Sequence, residues 1–133
     1  SEAATAERVA DMAHFIGLQR ELDTPADALA YGRQRMLAVG ISLSAHPRFL
    51  MLDEPTAGLN STESVEMAQL LRAVREHGIG ILLVEHDMKF LLNLSDHVVV
   101  LSAGRKIAEG SPAEIQDDPE VRAAYLGERH KKC

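Results

Sequence analysis

Cysteine is almost missing from this 133-residue chain: Cys133, the last residue, is the only one. No disulfide framework can form, and a reducing cytoplasm fits that composition. Long apolar runs are missing too. The longest, Gly78 to Val84, falls far short of the roughly 20 residues that cross a bilayer. No positively charged segment followed by an apolar one opens the sequence, so nothing marks it for secretion. Positive charge is scarce: 14 Lys and Arg against 20 Asp and Glu leave a formal charge of −6. Nucleic-acid surfaces draw their affinity from basic patches, so a nucleic-acid partner is not expected. The basic tail Arg129-His130-Lys131-Lys132 and Cys133 read as a solvated chain end. Repeats and low-complexity segments are absent.

What is present is the composition of a soluble globular domain, 46% hydrophobic and 26% charged. Val9, Met12, Ala13 and Ile16 recur at helical spacing and predict a helix over about Ala4 to Leu18. A polar stretch containing Pro25 follows as a loop. A second helix is expected from just after Gly32 to about Ala45, with Met36, Val39, Gly40 and Leu43 as its stripe and Pro47 as its stop. Gly40 inside it is expected to permit close packing. Phe49-Leu50-Met51-Leu52 is a short continuous apolar run, the pattern of a strand buried on both faces in a parallel sheet. After a turn, Asn60 or Ser61 caps a helix whose buried stripe is Met67, Leu70, Leu71 and Val74. Ile79 to Val84 is a second buried strand. A short helix over Met88 to Leu94, a hairpin around Ser102-Ala103-Gly104, and two short Pro-initiated helices complete the chain. Strand, helix, strand alternation predicts an α/β fold with a parallel sheet.

Asp53 and Glu54 stand at the C-terminal end of the first apolar strand, where open α/β sheets bind ligands. One carboxylate there can hold Mg²⁺ through water, and the other can orient or deprotonate a water that attacks a phosphoryl group. The same Asp-Glu-Pro run also suits a plain surface turn. Glu85-His86-Asp87 places polar groups at the end of the second strand, on the same sheet edge. His86 can donate to a phosphate oxygen there, and this pairing shifts the balance toward function.

With these residues in place, the sequence resembles the nucleotide-binding subunits of ABC transporters over nearly its whole length. Phe49 to Glu54 is similar to the Walker B strand with its catalytic glutamate. Ala57-Gly58-Leu59-Asn60 looks like the D-loop, and His86 falls on the switch histidine. Leu29-Ala30-Tyr31-Gly32-Arg33-Gln34-Arg35 resembles the signature segment, which opens a helix. A helix N-terminus carries free N–H groups and a positive dipole end, and Gly32 lets a backbone come close. Arg33 and Arg35 could add charge or serve as intrachain partners. The resemblance implies ATP as substrate and Mg²⁺ as cofactor. It assigns Glu54 and His86 to catalysis, Asp53 to the metal, and Leu29, Ala30, Tyr31, Gly32, Arg33 and Asn60 to nucleotide contact. It also implies a second ATPase subunit in a head-to-tail dimer, transmembrane permease partners, and a peripheral place on the cytoplasmic face of the inner membrane.

Ala30 stands where Ser is commonest in the family, Tyr31 where Gly is commoner, and Arg33 where Gln is commoner. The Leu-Ala-Tyr-Gly form, Asn60 in place of Asp, and the ending (Ala108 to Ile115, Asp118 to Val121, Ala124 to Glu128) resemble the branched-chain amino-acid uptake branch. The phosphate-cradling Gly-x-x-x-x-Gly-Lys-Ser/Thr loop is not among the 133 residues. The expectation is thus the C-terminal part of a RecA-like P-loop NTPase sheet plus part of the ABC helical subdomain, with the P-loop strand missing. Residues 1–47 would belong to the helical subdomain, 48–111 to the ATPase core and 112–133 to a helical tail. The family's P-loop strand lies between Ile79–Val84 and Val98–Leu101, so no ladder should join those two. Three functional readings remain: an ATP-hydrolysing importer subunit present as a fragment, a non-catalytic module, and an ABC ATPase acting outside transport.

Overall fold

Residues 1–126 are described by the structure, a computed structural model, and they divide after Glu85 into two units. Gly127, Glu128, the basic tail Arg129–Lys132 and Cys133 lie outside the described residues. No helix among the described residues is long and apolar enough to cross a membrane.

The first unit opens with α1 (Glu2–Phe15), whose first turn is capped by the Ser1 side chain accepting from the Ala4 N–H. Gly17, at φ 79°, ends it. The Gly17 N–H donates to the His14 carbonyl and the Leu18 N–H to the Ala13 carbonyl, a paired closure that satisfies the last turn. The helix therefore stops three residues before the expected Leu18. Ala13, Ile16 and Leu18 are buried, but Val9 is 54% exposed, so the apolar stripe is narrower than its spacing suggested.

After a 3₁₀ turn (Ala26–Ala28) comes α2 (Tyr31–Leu43). It begins before Gly32 because the Gln34 N–H already donates to the Ala30 carbonyl, which closes the first turn over Tyr31. Gly32, Met36, Val39, Gly40 and Leu43 are its buried face. A Cβ on Gly40 would stand 2.6 Å from Ile16 Cδ1, so the glycine permits the expected close packing.

Strand β1 (Phe49–Asp53) leads through α3 (Ser61–Glu76) to β2 (Gly80–Val84), which pairs with β1 in parallel from Phe49↔Gly80 to Asp53↔Val84. Parallel neighbours need such a crossover, and the helix supplies it. The start of α3 is fixed by a reciprocal cap: Asn60 Oδ1 accepts from the Glu63 N–H, and Glu63 Oε2 accepts from the Asn60 N–H. Met67, Leu70, Leu71 and Val74 are buried along it. The expectation of strands buried on both faces is corrected by the structure. Leu50 is buried, whereas Phe49, Met51, Leu82 and Val84 are 56%, 73%, 51% and 53% exposed. Residues paired in parallel register share a face, so the exposed side chains all lie on one side of the ladder. Two strands bury both faces only when elements cover both.

The second unit begins at His86. Asp87 caps α4 (Met88–Leu94) by accepting from the Phe90 N–H. Strands β3 (Val98–Ser102) and β4 (Arg105–Gly110) pair antiparallel. Ala103 and Gly104 between them have φ of 50° and 75°, the two left-handed residues that a tight hairpin turn requires. Val98, Val100, Ile115 and Val121 form the core of this unit. The last two belong to α5 (Pro112–Asp117) and α6 (Pro119–Val121), which continues into a π-type turn (Arg122–Leu126). From that turn the Tyr125 hydroxyl donates to the Leu101 carbonyl. On the hairpin, Lys106 Nζ lies 2.7 Å and His97 Nε2 3.0 Å from the Glu109 carboxylate. Lys106 and then His97 hold its pKa down at about 2. Among the described residues β2 ladders with β1 and β3 with β4.

Candidate functional site

The first unit brings the C-terminal end of β1 and the start of α2 together. Asp53 is the last residue of β1, paired with Val84, and its side chain is exposed. Glu54 follows, also exposed, with a backbone φ of 48°. A non-glycine residue in the left-handed region costs about 1–3 kcal/mol and persists only where its surroundings hold it. Here the Glu54 N–H donates to the Val84 carbonyl at 2.7 Å, which carries β-type pairing one residue beyond the strand. The Glu54 carbonyl accepts from the Ala57 N–H at 3.1 Å and from Arg35 Nη2 at 2.5 Å. The turn that follows is clamped across the ladder. Glu85 Oε1 accepts from the Thr56 N–H at 2.9 Å and from Thr56 Oγ1 at 2.6 Å, and Pro55 and Thr56 are buried.

The segment leading into α2 supplies the other part. Leu29 is half-buried and Ala30 exposed at the helix start, where no side chain caps the first turn. Gly32 is buried against α3: a Cβ there would stand 2.7 Å from Glu63 Cδ. The close approach this glycine allows in the chain is therefore to the capping glutamate of α3. Tyr31 lies against the turn after β1, since a Cβ on Gly58 would meet Tyr31 Cε1 at 2.8 Å. The Arg35 guanidinium sits 5.7 Å above the Tyr31 ring. Arg33 is committed within the chain. Its Nη1 donates to the Gly17 carbonyl at 3.3 Å, and it pairs at longer range with Glu21 and Glu66. Asn60 is likewise engaged, as the cap of α3.

Of the polar trio after β2, Glu85 serves the Thr56 clamp and Asp87 caps α4, while His86 is the exposed first residue of the second unit. Sequence reasoning missed the clamp, and it offered Arg35 as an intrachain partner without identifying the group it meets. The i,i+4 spacing of Tyr31 and Arg35 was a readable signal of a stacked pair. Nothing in the sequence pointed from Arg35 to a carbonyl 19 residues away.

No group of three or more His, Cys, Asp or Glu among the described residues forms a metal cage. Mg²⁺ bound with substrate phosphates takes one or two protein carboxylates rather than a protein cage, and Asp53 at the strand end is exposed.

The family described as branched-chain amino acid ATP-binding cassette transporter matches residues 105–131. High-affinity branched-chain amino acid transport ATP-binding protein BraF of Pseudomonas aeruginosa is 43% identical over 129 residues, 96% of this chain and 51% of BraF. LivG of Salmonella typhimurium, a protein of the same description, is 41% identical over the same shares of the two chains. The ADP conformation of MJ1267, an ATP-binding cassette of an ABC transporter, superposes with a TM-score of 0.81 at 28% identity, covering 91% of this chain and 49% of that one. The chain thus spans about half the length of the curated relatives it matches.

Proposed function

This chain belongs with the ATP-binding subunits of ABC transporters, in their branched-chain amino-acid branch, and from that premise we propose that it is part of an ATP-hydrolysing subunit that energises import of branched-chain amino acids. The observation that carries this reading is the juxtaposition in the first unit. Two exposed carboxylates end a parallel strand, and the uncapped start of α2 lies against the loop they open.

Glu54 is the general base. Its carboxylate accepts the proton of the water that attacks the γ-phosphorus of ATP, while in-line positioning supplies most of the remaining rate. Asp53 would hold Mg²⁺ through water, and the ion would neutralise charge on the phosphates. His86 contacts the γ-phosphate and helps keep the attacking water in place. At the start of α2, the backbone N–H groups of Tyr31, Gly32 and Arg33 offer an anion site at the positive end of the helix dipole. They meet the nucleotide held by a second, head-to-tail subunit, and Leu29, Ala30 and Asn60 line the same contact. Residues 1–47 act as part of the helical subdomain, 48–111 as part of the ATPase core, and 112–133 as a C-terminal tail. The subunit works at the cytoplasmic face of the inner membrane beside transmembrane permease partners.

The 133 residues by themselves are not expected to bind ATP tightly or to hydrolyse it. Their sequence contains no P-loop lysine and no glycine-rich nest of N–H groups to grip the β- and γ-phosphates. Calorimetric titration of the isolated polypeptide with Mg-ATP should show no low-micromolar binding, whereas the full-length subunit should bind. Tight binding by the isolated polypeptide would contradict this division of labour. An ABC ATPase acting outside transport is the weaker reading, because the match over residues 105–131 is to a transporter family.

A further inference from the structure

We infer that Arg35 is a positioning residue for the general base: from α2 it holds the backbone of Glu54, so that the helix proposed to meet one nucleotide sets the geometry of the carboxylate that serves the other. The inference rests on the assignment of Glu54 above.

The Glu54 backbone sets where its side chain starts, and that backbone is in the left-handed region at φ 48°. Two of its hydrogen bonds come from nearby, from the Val84 carbonyl on the paired strand and from the Ala57 N–H in the same turn. The third comes from another element. Arg35 Nη2 donates to the Glu54 carbonyl at 2.5 Å, a charge-assisted bond and so a strong one. Arg35 is itself oriented. It is half-buried, and its guanidinium stacks on the Tyr31 ring one helical turn earlier. Tyr31 in turn packs on Gly58, whose φ of 77° and lack of Cβ leave just enough room for the ring. Side chains four residues apart on α2 therefore hold both ends of the loop from Glu54 to Gly58, while Glu85 clamps its middle at Thr56.

The test compares steady-state hydrolysis by the full-length subunit with that of its Arg35→Met, Arg35→Lys and Glu54→Gln variants. Arg35→Met should lower kcat on the order of 100-fold, the scale of a misplaced catalytic group. Its KM for Mg-ATP should stay within about twofold, because the phosphate grip is untouched. Arg35→Lys keeps a donor but not the planar stacking fork, so its kcat should fall between the two. A purely structural Arg35 would lower folded yield and change kcat and KM together, with no partial rescue by Lys. If Arg35→Met does not fold, Tyr31→Leu carries the test: it keeps the main-chain N–H, removes the ring beneath the guanidinium and should cost about tenfold in kcat. A kcat within about twofold of wild type in Arg35→Met, or in Tyr31→Leu where that variant stands in, overturns the coupling, provided Glu54→Gln is inactive. A Glu54→Gln variant that turns over normally overturns the assignment of Glu54 instead.

Discussion

In the full-length subunit, Glu54→Gln is expected to abolish ATP turnover while leaving Mg-ATP binding in place. Glutamine keeps the size of the side chain but cannot accept the proton of the attacking water. General-base catalysis is worth roughly 10²–10⁴ in rate, so the loss should be at least about 100-fold. Binding should survive because the phosphates are gripped elsewhere. The backbone should survive as well, since the Val84, Ala57 and Arg35 bonds are all made by Glu54 main-chain atoms. Steady-state phosphate release and a nucleotide titration of the same preparation separate the two effects. Near-normal hydrolysis would show that the base lies elsewhere and that the Asp53-Glu54-Pro55 run only shapes a turn.

The second large effect concerns what holds the site in place. Leu71→Ala should cost about 2–5 kcal/mol of stability, the range for truncating a fully buried leucine. Leu71 is 0% exposed, in the middle of a stripe whose other members, Met67, Leu70 and Val74, are 1%, 5% and 0% exposed. There is no slack there for the cavity to relax into. The helix bearing this stripe connects β1 to β2, and its capped start lies just past the loop that holds Glu54. Loosening α3 thus endangers the pairing that sets Asp53 and Glu54 at one sheet edge. Val65→Ala on the same helix is the control. Val65 is 57% exposed, and its loss should stay within about 0.5 kcal/mol. Denaturant midpoints of the two variants in one background give the comparison. A Leu71→Ala cost below about 1 kcal/mol would mean that the stripe is not the core it resembles.

Local signals in the sequence located most elements. The apolar runs at Phe49 and Ile79, each ending in polar residues, marked the two parallel strands. Asn60 or Ser61 as a cap marked the start of α3, and Ser102-Ala103-Gly104 marked the hairpin turn. Met36, Val39, Gly40 and Leu43 lie on the buried face that their spacing implied. Burial itself was harder to read. A continuous apolar run says that a strand can be covered on both faces, not that it is, and Met51 at 73% exposure is the clearest case. Val9 failed for a related reason, since helical spacing fixes the direction of a side chain but not what lies beyond it. In the site, the residue types and order singled out Asp53, Glu54 and Gly32, which lie at the end of β1, just after it and in the first turn of α2. The bonds from Glu85 to Thr56 and from Arg35 to the Glu54 carbonyl were not legible, because they span 29 and 19 residues and leave no periodic trace.

The structure of the full-length Glu54→Gln subunit bound to Mg-ATP tests the central claim most directly. The account predicts a head-to-tail pair with Mg²⁺ beside Asp53 of one copy. The γ-phosphate of that nucleotide should lie within hydrogen-bond reach of the N–H groups of Tyr31, Gly32 and Arg33 of the other copy. A nucleotide bound with both α2 starts remote from its phosphates, or with Asp53 remote from the metal, would contradict it.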